Sequence, residues 1–440
     1  MTAGFMGRFE DKHFRWIGYL SIGLVLLFCG AAFFLLNRGM YWDFANYYDA
    51  GQKVLAGQFN DLYDPFAKID GQPPLSNMSF LSAPLTSVLY APLALLEPAS
   101  ALVAFKVQSA VCYLVGLSIL YFHLRRFVSG APSSMARFFA CFWTAALVFQ
   151  PFWTVYVVGG QVTPFVFMLF VVALVQITRD KMIAAGAIWI LCVAIKPAFA
   201  PGLVFLFVVL DNRFRASVLA FGSAAVLVSL GVFGVEPHLV LVARVLEESR
   251  NLNPAYFNSN MFAWLEPLWL SGEELNNLDF APPGLKLVST TLRLAVIAGL
   301  VLVYYRIRKS APSPRAGRHV SVVFALVTPL VLTPIAWAHY LSVLFIPLMY
   351  VLADENSFSR SARVLVAIIV AVSLFQNLLL WQIYIHFFEV VTKGEYLAAG
   401  LVRSLPMLLT VALLFVWAPA FQRSYGSSAW RTRDGESGDP

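Results

Sequence analysis

Long apolar runs separated by short polar loops fill most of the 440 residues, and this pattern predicts a helical membrane protein. A helix needs about 20 apolar residues to cross a bilayer, so the shorter runs would form tilted or broken helices packed inside the protein. We therefore predict an all-α polytopic protein with about 12 transmembrane helices. The runs cover about residues 16–36, 100–122, 137–157, 164–178, 182–196, 199–210, 214–234, 286–304, 319–334, 340–353, 362–384 and 397–417.

Basic residues are unevenly distributed between the loops, and this asymmetry predicts an orientation. Of the 31 Lys and Arg, 20 fall in segments on one side of the predicted membrane, including both ends of the chain. Because cytoplasmic loops are enriched in Lys and Arg, we predict that both termini are cytoplasmic. The first run is longer than the core of a signal peptide and is predicted to stay as an anchor. Two large loops, about residues 37–99 and 235–285, would then face outside.

One apolar run, residues 80–96, does not fit this alternation. Counting it as a span would place Arg125 and Arg126 outside and reverse every later loop, and it contains Pro84 and Pro92. We predict a re-entrant or interfacial segment of the first outer loop, held against the protein body. The second outer loop is predicted to be polar and irregular. Residues 1–420 are predicted to form a single transmembrane domain, and residues 421–440 a disordered cytoplasmic tail.

The composition excludes several classes of function. The chain is 59% hydrophobic and 12% charged, whereas soluble domains carry about 25% charged residues. The net charge of +7 fits loops that face anionic membrane lipids, and we predict no nucleic-acid partner. The four Cys are far apart in apolar runs, and no GxxxxGKS, HExxH or first-loop DxD motif is present. We therefore predict no metal site and no cofactor.

Unusual polar residues fall at the outer ends of the predicted spans or in the outer loops. Ionisable residues within a membrane are energetically costly, so they are interpreted as functional by default. The convergence of unusual polar residues on one face therefore predicts a shared site. These residues are Asp43, Gln161 after Gly159 and Gly160, Lys196 before Pro197, Asn258, Asn260, Trp337 and His339.

Each candidate also has a structural explanation. Asp43 is a favoured type of N-cap for the helix predicted to follow it. Lys196 is long enough to snorkel to the interface, although Lys-Pro between two short runs favours a broken helix that opens a cation into a cavity. Gln161 fits a tight turn, and His339 fits an interfacial belt. The other acidic residues of the first loop are predicted to be solvated or capping; they are Asp49, Asp61, Asp64 and Asp70.

The motifs, taken in order, resemble a known family. They are WDFxxYY, FLSAPLTSVLYAPLALL, GGQVTP, AIKPAFAP, FNSNMF and PIAWAHY. The set is similar over about residues 40–350 to the polyprenol-phosphate mannosyltransferase-like family, glycosyltransferase family 87, whose members have the GT-C fold. The resemblance implies transfer of a hexose, with mannose favoured, from a polyprenyl-phosphate-linked donor to a lipid or glycan acceptor. The transfer would occur at the periplasmic face of a bacterial inner membrane.

The resemblance also implies roles for individual residues. Asp43 matches the family's general base, and His339 matches a functional histidine. Since a phosphate leaving group needs cationic or hydrogen-bonding partners, the donor-binding candidates are Lys196, Gln161, Asn258 and Asn260. The acceptor-pocket candidates are Tyr47, Tyr48 and Trp337. A lone carboxylate base predicts an inverting, metal-independent displacement.

A secondary transporter or lipid flippase is the main alternative, because such proteins also have about 12 spans and broken helices. Transporters place polar sites near the bilayer midplane and show repeated halves. Here the polar residues cluster at one predicted face, and we find no internal repeat. A purely structural membrane protein would give no reason for Lys196 and His339 to converge. The sequence therefore favours a glycosyltransferase.

Overall fold

Helices form nearly all of the described structure. The computed structural model describes residues 42–128, 132–149, 151–153, 160–250, 261–265, 283–310, 314–333, 336, 338–353, 358–387, 401 and 404–415, with positions 23, 26, 27 and 30. Among these residues the only β-type pairing is an isolated bridge between Ile69 and Gln72. The predicted all-α class is confirmed for this part of the chain.

Thirteen helices are numbered here in chain order. They are α1 (Trp42–Leu55), α2 (Pro98–Leu124), α3 (Pro132–Val148), α4 (Thr163–Thr178), α5 (Met182–Ile195), α6 (Ala200–Val209), α7 (Asn212–Phe233), α8 (Glu236–Arg250), α9 (Pro283–Ser310), α10 (Pro314–Leu332), α11 (Phe345–Ala353), α12 (Arg360–Phe387) and α13 (Ser404–Phe415). Short 3₁₀ segments lie at Pro84–Leu89, Arg125–Phe127, Pro197–Phe199, Ala263–Leu265 and Ala338–Leu344.

The bundle contains internal helices and helices with exposed apolar faces. α11 and the part of α10 that follows Arg318 are predominantly apolar, and nearly all of their described side chains are buried. α7 keeps Leu219, Leu227 and Val228 exposed. A helix that is apolar all round belongs in a protein interior, whereas exposed apolar side chains on a long helix suit a lipid surface. The prediction that short apolar runs pack inside the protein is thus confirmed for α10 and α11.

Three helices of the described part are long and apolar enough to cross a membrane, namely Pro98–Phe127, Asn212–Phe233 and Pro283–Lys309. α5 packs between α4 and α7, α4 packs on α2, and α10 packs on α6 and α9. Apart from four positions, the predicted span at 16–36 lies outside the described residues, as does the predicted tail at 421–440.

The segment at residues 80–96 forms the 3₁₀ turn Pro84–Leu89 and one helical turn, Ala91–Ala94, so it is not a spanning helix. The backbone N–H of Ala83 donates to the carbonyl of Ala194 at 2.8 Å, and the Ser82 hydroxyl donates to that of Ile195 at 2.6 Å. These bonds fasten the segment to the end of α5. The prediction that the segment is held against the protein body is confirmed.

The second predicted outer loop is more regular than expected. Residues predicted as irregular form α8, a 15-residue helix that follows α7 directly after Gly234. Glu236 and Pro237 suit a first helical turn, and Leu239, Val242 and Leu246 recur at helical spacing. The prediction of an irregular loop was therefore wrong for this part, because the polar end of the helix concealed its apolar periodicity.

Candidate active site

Helix α1 brings Asp43 and Tyr47 to one face. Residues four apart on a helix are neighbours on its surface, so both side chains point the same way. Asp43 lies in the first turn of the 14-residue helix and is half-buried, while Tyr47 is buried. The predicted helix after the first span is thus confirmed, with Asp43 inside its first turn.

The loop before α4 approaches this face closely because it contains Gly160. Gly160 has a φ of 78°, a left-handed conformation that glycine adopts without a steric penalty. A Cβ atom there would lie 3.1 Å from the Cβ of Phe44 and 3.2 Å from the ring of Phe105. The absent side chain therefore lets the backbone reach α1, and it places Gln161, only 3% exposed, against Tyr47.

The Gln161 side chain links three functional groups. Its Oε1 accepts hydrogen bonds from the Tyr47 hydroxyl at 3.2 Å and from Lys196 Nζ at 3.3 Å. Gln161 also acts on the Asp43 carboxylate as a hydrogen-bond donor, and this interaction lowers the pKa of Asp43. The Tyr47 hydroxyl also lies beside the backbone of Val162, so α1 is held against this loop.

Lys196 lies at a break between two helices, as predicted. α5 ends at Ile195, Lys196 has non-helical angles (φ −137°, ψ 85°), and Pro197 begins a 3₁₀ turn before α6. Proline provides no N–H to continue the helix. The half-buried ammonium lies 5.0 Å from the centre of the Tyr340 ring, a cation–π distance. The break therefore directs the cation toward Gln161 and Tyr340.

His339 reaches the same place from the segment before α11. Its ring is 5% exposed, lies 4.7 Å from the Tyr340 ring centre, and interacts electrostatically with Lys196. The Nε2 atom has no hydrogen-bond partner within the described part of the chain. A buried polar atom of this kind is costly unless something pairs with it, so Nε2 is available to a bound molecule. Asp43, Tyr47, Gln161, Lys196 and His339 are called the Asp43 cluster below.

The electrostatics of the cluster act on Asp43 in two directions. Burial raises the pKa of Asp43 above its ordinary value, whereas the Lys196 charge and the Gln161 hydrogen bond lower it. Burial and the neighbouring Tyr90 and Asp43 raise the pKa of Tyr47, so its hydroxyl keeps the proton that it donates to Gln161. The site therefore combines a carboxylate with a shifted pKa, a neutral amide and a cation.

Three predicted site residues lie outside the described residues: Asn258, Asn260 and Trp337, together with Gly159. Tyr48 lies apart from the Asp43 cluster. Its hydroxyl donates to the carbonyl of Leu96 at 2.7 Å, and its ring lies 5.7 Å from that of Phe44. Consecutive residues on a helix point about 100° apart, so Tyr47 and Tyr48 project in different directions from α1.

Asp49 was predicted to be a solvated or capping residue. It is 4% exposed, and its carboxylate accepts from the backbone N–H groups of Leu75 at 3.1 Å and Ser76 at 2.7 Å. The solvated alternative was wrong, since the following loop folds back over α1, whereas the bonds to backbone N–H groups agree with the capping alternative. Asp64 is exposed and caps a turn at Phe66, as predicted.

Two tyrosines of the site were missed from the sequence. Tyr340 supports Lys196, and Tyr90 stacks on Tyr47 with ring centres 4.9 Å apart. The Tyr90 hydroxyl has no hydrogen-bond partner among the described residues. The position of Tyr340 beside His339 was an available signal. Tyr90 sits in an apolar run, and only the close approach of Gly51, whose Cβ would lie 2.6 Å from the Tyr90 carbonyl oxygen, brings it to α1.

An all-helical protein with long apolar helices and a buried carboxylate, amide and ammonium group can now be compared with known families. Residues 80–334 match glycosyltransferase family 87. The match covers more than half of the chain, so this protein belongs to glycosyltransferase family 87. No curated protein matches the chain. The protein is therefore a glycosyltransferase with membrane helices. The matched range includes Gln161 and Lys196, while Asp43 and His339 lie on either side of it.

Proposed function

We propose that the protein transfers a hexose, with mannose favoured, from a polyprenyl-phosphate-linked donor to a hydroxyl group of a lipid or glycan acceptor. The reaction takes place at the periplasmic face of a bacterial inner membrane, on a GT-C fold with about 12 spans. The observation that carries the proposal is the convergence of Asp43, Gln161, Lys196 and His339 from four separate segments of the chain.

Asp43 acts as the general base. Its carboxylate accepts the proton of the acceptor hydroxyl while the hydroxyl oxygen attacks the anomeric carbon of the donor. The bond between that carbon and the phosphate oxygen breaks, and polyprenyl phosphate leaves with the electron pair. One direct displacement inverts the anomeric configuration. Burial raises the pKa of Asp43 above its ordinary value, while Lys196 and Gln161 oppose the shift, and a raised pKa makes the carboxylate a stronger base.

Lys196 stabilises the charge that develops on the leaving phosphate. A half-buried ammonium acts more strongly than one in water because the surrounding dielectric is low. The Nε2 of His339, which has no hydrogen-bond partner among the described residues, provides a further hydrogen-bonding position for the sugar or phosphate. Asn258 and Asn260 remain proposed donor contacts, and Trp337 remains a proposed acceptor contact.

The test is a membrane assay with a panel of radiolabelled polyprenyl-phosphate sugars, followed by identification of the labelled product. We expect transfer from a polyprenyl-phosphate hexose, best from mannose, in membranes with the wild-type protein. Asp43→Asn should abolish this transfer. Asp70→Asn is the matched control, because Asp70 is an exposed carboxylate of the same segment in a left-handed conformation that Asn tolerates. Transfer from nucleotide sugars alone would contradict the proposed donor.

A further inference from the structure

Both polar ends of the Gln161 amide, its oxygen and its NH₂ group, face other side chains of the protein. An amide oxygen has two lone pairs, and an amide nitrogen has two hydrogens. Tyr47 and Lys196 both donate to Oε1, which uses the acceptor capacity of that atom. This arrangement turns the NH₂ group toward Asp43. The orientation of the amide is therefore determined by its three neighbours.

We propose that Gln161 is a positioning residue, which aims the carboxylate of Asp43 and the ammonium of Lys196 without binding the donor phosphate itself. This inference rests on the proposed function, in which Asp43 is the base and Lys196 faces the phosphate. It replaces the donor-binding role expected from the sequence. The Oε1 of Gln161 is occupied and cannot accept from an anionic phosphate oxygen. The NH₂ group could donate to a phosphate oxygen, but it belongs to a buried side chain that is held in place by Tyr47 and Lys196.

The surroundings of Gln161 suit such a role. The side chain is 3% exposed and is held between α1 and the start of α4, so it has little freedom to turn toward a substrate. The neutral amide stands between a carboxylate and an ammonium. No ion pair within 4.0 Å joins Asp43 to Lys196 in the described structure, so both groups remain available for the reaction.

Two substitutions separate the contacts of Gln161. Gln161→Leu keeps the approximate volume and removes the hydrogen bonds from Tyr47 and Lys196 together with the interaction with Asp43. Gln161→Glu keeps an acceptor for Tyr47 and Lys196, loses the donor to Asp43, and adds a like charge beside it. Both changes should raise the pKa of Asp43, because the ionised carboxylate loses a hydrogen bond in a partly buried site. Gln72→Leu, at an exposed glutamine, is the matched control.

The experiment measures the protonation of Asp43 without any substrate. The purified full-length protein is treated with dicyclohexylcarbodiimide, which modifies protonated carboxyl groups, across a pH series, and labelling of Asp43 is quantified by mass spectrometry. We expect the labelling midpoint to rise by about one pH unit in Gln161→Leu and in Gln161→Glu. The midpoint should stay unchanged in Gln72→Leu. If Gln161→Leu does not fold, Gln161→Glu alone decides the result.

Turnover assays on the same variants distinguish this inference from the proposed function. We expect kcat to fall about 10- to 100-fold, and the acidic limb of the kcat/KM profile to move to higher pH, with little change in the KM for the donor. An unchanged labelling midpoint, or a raised donor KM with unchanged kcat, would overturn the positioning role. Absence of transfer from every polyprenyl-phosphate sugar would defeat the proposed function, while the labelling midpoint would still decide the role of Gln161.

Discussion

A carboxylate lies near one or more cations at each end of helix α5, but the charged groups are arranged differently at the two ends. Before α5, Asp180 pairs directly with Arg213 at 2.8 Å and Arg318 at 2.7 Å. After α5, about 20 Å away along the helix, Lys196 and Asp43 meet through Gln161. The side chains of Asp180 and Arg213 are 47% and 56% exposed, whereas Gln161 is buried.

The difference distinguishes charged groups that fasten the fold from those that we propose act in the reaction. The direct pairs join the α4–α5 turn to the starts of α7 and α10. Because solvent screens exposed pairs, the pair of Asp180 with Arg213 stabilises only weakly. In the Asp43 cluster a neutral amide separates the charges, in surroundings that strengthen electrostatic interactions. We therefore infer that function lies at the Lys196 end of α5.

The largest expected effect concerns orientation in the membrane. The two ends of α5 should face opposite sides of the bilayer, so thiol labelling from outside should be all or none. Single cysteines placed at Gln58 or Asn277 should react in intact cells with a thiol reagent that cannot cross the membrane, and a cysteine at Ser313 should not. Labelling in opened cells is the control for reactivity. Reaction at position 313 in intact cells would reverse the predicted orientation.

The next largest effect is expected from the two carboxylates. Asp43→Asn should reduce turnover by about 10²–10⁴-fold, the usual contribution of a general base. Asp43 lies inside the first turn of α1, where Asn of nearly equal size loses only a weak interaction with the helix dipole, so the helix should remain intact. Asp180→Asn should leave turnover within about twofold, since its contacts are distant from the site. Comparable losses in both variants, measured as kcat in purified preparations, would remove the distinction between the two regions.

Substitutions of the two cations, Lys196 and Arg213, should also differ in their effect on kcat/KM. Lys196→Ala should lower kcat/KM for the donor by about 10²–10³-fold, because a preorganised group facing the leaving phosphate is removed. Lys196→Arg should lose less, since it keeps the charge but changes reach and geometry. Arg213→Ala should have little effect on kcat/KM. A Lys196→Ala enzyme with wild-type donor kinetics would show that Lys196 is an interfacial anchor.

The pH dependence of kcat/KM should be determined by Asp43 and not by Asp180. Burial raises the pKa of Asp43, so its carboxylate takes up a proton at a higher pH than an ordinary aspartate as the solution is acidified. The protonated form cannot act as a base, so kcat/KM should fall on the acidic side through this raised pKa. Asp180→Asn should show the same acidic limb as the wild type. An acidic limb at the ordinary pKa of aspartate would indicate a solvated base.

The smallest effect distinguishes two neighbouring tyrosines of α1. Tyr47→Phe removes the hydroxyl that donates to Gln161 and should reduce kcat about two- to tenfold, the range for one neutral hydrogen bond. Tyr48→Phe removes a bond to the Leu96 carbonyl and should change thermal stability more than kcat. Equal losses of kcat in both variants would argue against a site confined to the Asp43 face of α1.

Much of this arrangement could be predicted from the sequence because the topology brings the ends of helices together. Proline residues or apolar spacing gave a local signal for three features. These are the break at Lys196, the helix after Asp43 and the packed segment at residues 80–96. The separation of Tyr47 from Tyr48 depends on which face of α1 meets Gly160. The pairing of Tyr90 with Tyr47 depends on the close approach at Gly51. Such contacts are long-range, so no local pattern in the sequence encodes them.

The most direct test of the central claim is the anomeric configuration of the product. Purified protein is given a polyprenyl-phosphate mannose of known configuration, and the anomeric coupling constant of the first-formed product is measured by NMR spectroscopy. A single carboxylate base at Asp43 predicts complete inversion, and no product in Asp43→Asn. A product that retains the donor configuration would require a second displacement and an enzymatic nucleophile. That result would contradict the assignment of Asp43 as the general base.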